Sequence, residues 1–325
     1  MIHTSEMLEV PEPSERHRRG ESLWRRGARR LLRKKIAVAC LIFIALFYFV
    51  ALFAPLLAPY GYAEQNLDIS FQGPSWAHPF GTDRNGRDLL SRVIFASRTT
   101  AIITIATVST GSILLPLTLG MLAGYRGGWV DSLIMRTGEI LSSLPGLPML
   151  VLINATMRPR FVEWVKEIED VIGWDGLTKS GGADYFLIVL VLSLFGWVGG
   201  ARLIRVQVQT LRNTEYVLAA EANGASTLRI LFRHMLPNVL PLIIVGMSAS
   251  LGAIAAVEVG LTFLGVGIHP PNPSFGALVN DGAGRSVLVN HPQLLLVPAA
   301  VITASILAFN LLGDAINDVL TPGAK

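Results

Sequence analysis

The sequence predicts an all-α integral membrane protein with six transmembrane helices, because of its composition and its long apolar runs. Hydrophobic residues make up 51% of the 325-residue chain and charged residues 15%, and the mean hydropathy is +0.51. One soluble core of this length rarely contains so much apolar surface. Several apolar runs reach the length of about 18 residues that a helix needs to cross a bilayer with its backbone hydrogen bonds satisfied internally.

Six predicted spans can be placed along the chain. They cover about residues 36–58, 100–124, 132–157, 185–206, 239–264 and 293–312. Pro145 and Pro148 interrupt the third span, and Arg136 and Glu139 lie near its start. These two charged residues are three positions apart and can pair along one helical face, with a role in a transport pathway as the alternative. An even number of crossings puts both termini on one side of the membrane.

Residues 1–35 form a basic tail ahead of the first span. Its basic residues are Arg16, Arg18, Arg19, Arg25, Arg26, Arg29, Arg30, Arg33, Lys34 and Lys35. A basic cluster beside a span is typical of the cytoplasmic side, where it also meets anionic membrane lipids. We therefore expect a multi-pass protein of the cell membrane (inner or plasma membrane), with both termini in the cytoplasm and no nucleic-acid partner.

Residues 36–99 contain the first span and an extracytoplasmic segment. The apolar run at residues 36–57 is longer than the ~7–15 residues of a signal-peptide core, so we interpret it as a retained span. The lone cysteine, Cys40, lies inside this span and excludes a disulfide within the chain. Residues 83–86 form a turn, and Asp88 after them can cap the next helix.

An acidic loop at about residues 158–184 follows the third span on the outer side. Its carboxylates are Glu163, Glu167, Glu169, Asp170, Asp175 and Asp184. Apolar residues recur in it at spacings of three, four and seven, namely Phe161, Trp164, Val165, Ile168, Val171 and Ile172. This spacing predicts an amphipathic helix. The helix could pack on the bundle, lie on the membrane surface or contact an external partner.

The polar stretch EYVLAAEANGASTLRILFRHMLPN, from Glu215, lies between the fourth and fifth spans. Asn213 or Thr214 can cap a short helix that Gly224 ends, because glycine accepts the left-handed conformation without a Cβ clash. Ser226 can cap a second helix ahead of the fifth span. The sequence therefore predicts a bent pair of short helices in the cytoplasm.

The first of these helices has the features of a segment that enters a partner's groove. Ala219 and Ala220 keep one face thin, so that a neighbouring surface can approach the backbone. Tyr216 and Val217 offer larger side chains as anchors. Helices of this kind often pack on their own protein, so the pattern alone is only moderately specific.

The stretch resembles the EAA loop of binding-protein-dependent ABC importer permeases, written E-A-A, three residues, G, and a hydrophobic segment ending in L-P. The matching residues are Ala219, Ala220, Gly224, Leu236 and Pro237. Leu218 stands where the family has its glutamate. Glu215 and Glu221 flank this position three residues before and after it, so either could supply the carboxylate.

Four further stretches resemble landmarks of the dipeptide/oligopeptide/nickel family of these permeases, in the family's order. They are HPFGTDRNGRDLLSR from His78, AGYRGGWVDSLIMR from Ala123, PPNPSFGALV from Pro270 and LAFNLLGDAINDVLTP from Leu307. The resemblance covers nearly the whole chain from about residue 36. It implies the type I ABC importer permease fold, with residues 100–325 as the transmembrane core and a cytoplasmic coupling loop at about residues 208–237.

The resemblance also implies a function. The chain would form half of the translocation pathway for dipeptides, oligopeptides or similar solutes, and residues 213–237 would couple it to ATPase subunits. The implied partners are a homologous second permease, two ATP-binding subunits or domains, and an extracytoplasmic substrate-binding protein. Docking of that protein is the alternative to a purely structural role for the turn at residues 83–86. The implied ATPase-contact residues are Glu215, Tyr216, Ala219, Ala220 and Gly224.

We expect no catalytic, cofactor or metal site in this chain. A phosphate-binding P-loop needs a Gly-Lys dipeptide, which the sequence lacks, so ATP and Mg would be bound by partner ATPase subunits. The histidines His78, His269 and His291 show no ligand-like spacing such as H-x3-H. The sequence also contains no G-x-S-x-G or H-E-x-x-H motif.

Glu258 is an ionisable residue inside a predicted span. Counting about 20 residues from Val239 at a rise of ~1.5 Å places it near the outer end of the fifth span. It could line the mouth of the translocation pathway or bond to a neighbouring helix. The alternative function is an ion-gradient-driven secondary transporter, which often has inverted repeats and an acidic group at mid-membrane. The sequence shows no convincing repeat, and Glu258 is too close to the edge.

Overall fold

The structure is a computed structural model that describes residue 29, residues 31–173 and residues 176–320. Most of the predicted basic tail lies outside the described residues, as do Trp174 and Asp175 of the acidic loop. The described chain is helical and contains no β-strand, only a single bridge between Thr82 and Asp88.

The helices follow one another with short connections, apart from the segment between the first two spans. In chain order they are α1 (Lys35–Leu52), α2 (Ala54–Leu57), α3 (Leu89–Arg126), α4 (Gly128–Ser143), α5 (Gly146–Ile172), α6 (Gly176–Lys179), α7 (Gly182–Arg212), α8 (Glu215–Ala222), α9 (Thr227–Phe263), α10 (Phe275–Gly282), α11 (Arg285–Asn290) and α12 (Gln293–Leu320). Within the described residues, 5 helices are long and apolar enough to cross a membrane, namely α1, α3, α7, α9 and α12. The bent pair of α4 and α5 makes up to 6 when counted as one span, which confirms the predicted fold class.

The second span begins earlier than its apolar run suggests. Helix α3 starts at Leu89, where the sequence predicts a span only from about residue 100. The Asp88 carboxylate accepts a hydrogen bond of 2.7 Å from the Ser91 amide and caps the helix, as predicted. The polar residues Ser91 and Arg92 in this first part are buried against other elements. Burial of polar groups within the fold therefore extends the helix beyond the apolar run.

The third span, predicted over residues 132–157 with an interruption at Pro145 and Pro148, is a bent pair of helices. Helix α4 ends at Ser143, α5 begins at Gly146, and the two axes meet at 91°. Leu144 between them is extended, with ψ of 141°. The ring of the following Pro145 disfavours helical geometry at Leu144, so the break follows from the sequence.

The predicted amphipathic helix of the acidic loop forms as the second half of α5. It packs on the bundle, which was one of the three alternatives. The Arg158 guanidinium binds the Asp184 carboxylate at 2.8 Å, near the start of α7. Phe161 stacks on Phe186 with ring centroids 5.5 Å apart, and Val165 is buried.

Hydrogen bonds between the spans establish which helix ends lie together. The Lys34 ammonium is 2.8 Å from the Asp318 carboxylate, so the first and last spans are antiparallel neighbours. The hydroxyls of Tyr48 and Thr104 are 3.3 Å apart and connect α1 to α3. We call the side that holds the start of α1 and the ends of α3, α7 and α12 the tail side. The opposite side, with the ends of α1 and α9, is the far side.

The closest packing between spans joins α3 to α7. A Cβ atom added at Gly120 or Gly124 would lie 2.7 Å from the carbonyl oxygen of Ala201 or Arg205, respectively. Small residues four positions apart let two membrane helices approach with their backbones almost in contact. This contact fixes α7, and therefore the loop that follows it, relative to the end of α3.

Candidate functional site

The short helix α8 begins and ends close to where the sequence predicts. Thr214 occupies the N-terminal cap position, but its hydroxyl donates to the Leu211 carbonyl at 2.6 Å and does not cap α8. Gly224 adopts φ of 75° just past the end of the helix. The Ala225 amide then donates to the Ala220 carbonyl at 3.0 Å, a bond typical of a left-handed helix end.

The second predicted short helix is not separate, which corrects the bent-pair prediction. The Ser226 hydroxyl accepts from the Arg229 amide at 3.4 Å, as a cap should. From Thr227 the helix continues without interruption to Phe263, through a π-helical segment at Ile230–Met235. Whatever moves the start of α9 therefore moves the fifth span directly.

An apolar cluster fixes the underside of α8 to three spans. Val217 is fully buried and is the residue of α8 at the centre of this contact. The cluster consists of Met121, Ile204, Val208, Leu211, Val217, Ile230, Leu231, Met235, Val239 and Ile243. Since it draws on α3, α7, α8 and α9, burial of this surface holds α8 against the tail side of the bundle.

Polar contacts add to this attachment. The Tyr125 hydroxyl, at the end of α3, donates to the Glu221 carboxylate at 2.9 Å. The Arg212 guanidinium lies 5.7 Å from the centre of the Tyr125 ring, within cation–π range. The Asn238 amide donates to the Tyr216 hydroxyl at 3.3 Å. Of the two carboxylates that flank Leu218, Glu221 is thus engaged within the chain.

The loop exposes four large apolar side chains among charged and polar ones. Leu218 is 50% exposed, Leu228 67% and Phe232 58%, and Tyr216 beside them is exposed as well. Isolated exposed apolar residues are ordinary, but several large ones together on one loop mark an interaction surface. We call Tyr216, Leu218, Leu228 and Phe232 the apolar loop surface.

The structure separates the residues predicted for the ATPase contact into two groups. Glu215, Tyr216, Ala219 and Gly224 are exposed on the tail side. Ala220 is half-buried and packs against the cluster around Val217. Leu228 and Phe232 are exposed as well but were not among the predicted residues, although their spacing of four residues places them on one helical face.

Glu258 lies at the far side, away from this loop. Its side chain is 0% exposed, and its carboxylate accepts hydrogen bonds from Thr100 at 3.0 Å and from Thr262 at 3.2 Å. The geometry thus shows the contact with a neighbouring helix, since Thr100 belongs to α3. A role in the translocation pathway stays a prediction.

The turn at residues 83–86 is an elbow at the start of α3. The Asp83 carboxylate accepts from the Arg87 side chain at 2.7 Å and from the Arg92 guanidinium. Arg92 also binds Asp281 in α10 at 3.1 Å. This network joins the segment before the second span to the segment before the sixth.

These features define a class of protein. A multi-pass α-helical bundle with a helical loop on one side, held by buried contacts and exposed on its outer surface, fits the membrane subunit of a transport system. A family model described as the binding-protein-dependent transport system inner membrane component matches residues 117–325. A second one, described as the N-terminal TM domain of oligopeptide transport permease C, matches residues 22–74. The chain belongs to the binding-protein-dependent transport system inner membrane component family, as the resemblance implied.

Individual relatives match almost the entire chain. A dipeptide transport system permease protein of Alkalihalophilus pseudofirmus is 34% identical over 98% of this chain and 97% of its own length. A glutathione transport system permease protein of Pectobacterium atrosepticum is 35% identical over 93% of this chain and 92% of its own. A dipeptide transport system permease protein of Bacillus subtilis is 37% identical over 90% of this chain and 84% of its own.

Proposed function

We propose that this chain is one of two permease subunits of an ATP-driven importer and forms half of the pathway for dipeptides, oligopeptides or similar solutes. The relatives' names supply the solute class, since they include dipeptide and glutathione permeases. The other half of the pathway is a homologous second permease. A substrate-binding protein delivers the solute from outside the cell.

The observation that carries the proposal is the apolar loop surface on a helix fixed to the bundle. A short helix with exposed apolar residues suits a groove on a partner, and ATPase subunits are the partners that the family resemblance implies for this loop. Leu218 and Phe232 are two of the exposed apolar residues that would enter the groove. Leu218 makes this contact more apolar than a loop with glutamate in its place.

The attachment of α8 would transmit the movement of the ATPase subunits. Val217 and the Tyr125–Glu221 hydrogen bond join α8 to the end of the second span, and the unbroken α9 joins the same loop to the fifth. A two-state bundle needs such a connection, because the ATPase state can select a bundle state only through contacts that differ between them. ATP and Mg would be held by the partner subunits, so this chain is not itself an enzyme.

The proposal places the tail side in the cytoplasm of a cell whose inner membrane the chain crosses several times. Basic residues Arg126, Arg202, Arg205 and Arg212 occur towards the tail-side ends of α3 and α7. Such an excess is typical of the cytoplasmic side. Both termini would then be cytoplasmic, and the binding protein would meet the far side.

Reconstitution of the assembled importer tests the proposal. The chain is co-purified with its second permease and ATPase subunits, placed in vesicles with ATP inside, and supplied outside with the binding protein and labelled dialanine. We expect uptake that requires ATP. Uptake that continues with ATP depleted and a proton gradient intact would support the ion-gradient alternative, and ATP turnover by the chain alone would also overturn the proposal.

A further inference from the structure

A cavity of about 270 Å³ lies on the far side, between the second span, the start of the fourth and the loop after the fifth. The residues that carry its chemistry are Tyr62, Arg98, Thr99, Tyr185 and Asn272. Arg98 is the only charged residue of its lining, among the residues that the structure describes. The cavity therefore attracts an anionic group.

The walls of this cavity are fixed by hydrogen bonds. The Thr99 hydroxyl donates its proton to the Pro273 carbonyl at 2.8 Å, so the Tyr185 hydroxyl, 3.1 Å away, must donate to Thr99. These two bonds connect the second span, the fourth span and the loop after the fifth. The cavity is thus formed before any ligand arrives, which lowers the free-energy cost of binding.

Two donors in the cavity have no partner in the described part of the chain. Arg98 is exposed, and within the described residues neither its guanidinium nor the Asn272 side-chain amide makes a hydrogen bond to the protein. Asn272 is 8% exposed, and its side-chain amide is still within reach of solvent. Both donors are therefore free to bind an anionic group that enters the cavity.

A glycine brings the Asn272 amide to this place. Gly181 has φ of 75°, and a Cβ atom there would lie 2.5 Å from the Asn272 side-chain nitrogen. Any other residue at position 181 would therefore displace the amide. The glycine at position 181 therefore allows the Asn272 amide to occupy its position in the cavity wall.

The depth of Arg98 fits the entrance of a transport pathway. Tyr48 is 13 residues beyond Lys35, or ~20 Å along α1, and it contacts Thr104. Arg98 lies six residues further along α3, or ~9 Å, so it is ~30 Å from Lys35. This distance is about the thickness of the hydrocarbon core, so a membrane whose near boundary is at Lys35 has its far boundary near Arg98.

We propose that this cavity binds the carboxylate of the solute as it enters the membrane, with Arg98 and Asn272 as the donors. The inference rests on the proposed function and assigns a solute-binding site to it. A guanidinium and an amide together suit the two oxygens of a carboxylate. A lipid phosphate is also anionic, and the protection experiment below distinguishes it from a solute carboxylate.

Charge rescue at position 98 tests the site in the assembled importer. Arg98→Cys is made in a Cys40→Ala background and modified with 2-aminoethyl, 2-sulfonatoethyl or methyl methanethiosulfonate. We expect unmodified Arg98→Cys to take up dialanine about tenfold more slowly, the loss of ~1.4 kcal/mol from a charge-assisted contact. Only the positively charged aminoethyl adduct should restore uptake. Full uptake without modification, or equal rescue by the sulfonatoethyl adduct, would overturn the proposal.

Arg285→Cys is the matched control, because Arg285 is exposed on the far side and does not line the cavity. It should keep normal uptake with every adduct. Asn272→Asp adds a second test with a side chain of the same shape, and its negative charge should reduce uptake of dialanine. Failure of the Cys40→Ala parent to show ATP-dependent uptake would instead count against the proposed function.

Protection from labelling separates a solute carboxylate from a lipid phosphate without ATP turnover. Dialanine delivered by the binding protein should slow modification of the introduced thiol at position 98 several-fold and leave that at position 285 unchanged. Protection that depends on phospholipid vesicles and is independent of dialanine would assign the cavity to lipid. Absence of any protection by dialanine would also overturn the proposal.

Discussion

The Tyr125 hydroxyl donates a 2.9 Å hydrogen bond to the Glu221 carboxylate, and so joins the end of the second span to the short helix α8. The two residues are 96 positions apart in the sequence. Their bond lies beside the buried contact of Val217, so the polar and apolar attachments of α8 act at the same place.

Loss of this bond should weaken coupling more than folding. We expect Tyr125→Phe to reduce the substrate stimulation of ATPase activity several-fold in the assembled importer, with a normal amount of protein in the membrane, because the ring still packs under Arg212. Glu221→Gln keeps an acceptor oxygen for Tyr125 and should have a smaller effect. Loss in Glu221→Gln with normal coupling in Tyr125→Phe would show that the charge of Glu221, and not this hydrogen bond, is required.

Two neighbouring alanines should respond differently to the same bulky substitution. Ala219 is exposed, so Ala219→Trp should fold normally, block the ATPase groove and lower substrate-stimulated ATPase activity at least about tenfold. Ala220→Trp should instead lower the thermal unfolding midpoint, because Ala220 packs against the buried cluster and extra volume there causes strain. Ala63→Trp, on the far side, is the control. Normal coupling in Ala219→Trp would contradict the docking model.

The end of α8 depends on the backbone conformation of Gly224. Its φ of 75° is unfavourable for alanine, and a Cβ atom there would meet nothing within 4 Å. Gly224→Ala should therefore cost about 1–2 kcal/mol from the backbone alone and lower the unfolding midpoint of the purified chain. Gly246 is equally free of neighbours but lies inside α9, where alanine is favoured by about 0.5–1 kcal/mol. An unchanged midpoint in Gly224→Ala would show that this helix end can adopt another conformation.

The buried carboxylate of Glu258 allows its two predicted roles to be separated. Glu258→Leu leaves the Thr100 hydroxyl without its partner and should destabilise the chain by about 1–3 kcal/mol. Glu258→Gln keeps an acceptor and should have a nearly normal unfolding midpoint. Dialanine uptake by this second variant then decides: loss of uptake at normal stability identifies a pathway residue, and normal uptake identifies a structural one.

The elements that the sequence predicted well have strong local causes. The apolar runs of five spans, the cap at Asp88 and the helix end at Gly224 each depend on residues adjacent in the chain. The features that it missed depend on contacts between distant residues. The polar first part of α3 is stabilised by partners such as Asp281, which no local pattern reveals.

The candidate site shows the same division. The position of α8 and the exposure of Tyr216 could be predicted from the spacing of the loop. The engagement of Glu221 could not, because its partner Tyr125 belongs to another span. Ala220 was grouped with Ala219, since a thin face alone does not tell which of two adjacent alanines faces the bundle.

The uninterrupted helix from Thr227 to Phe263 has a mechanical consequence. Its 37 residues form a rod ~55 Å long, so a tilt of about 5° around one end displaces the other by about 5 Å. A small displacement of the tail-side end of α9 can thus open or close a solute-sized gap on the far side. No part of the helix needs to unfold for this movement.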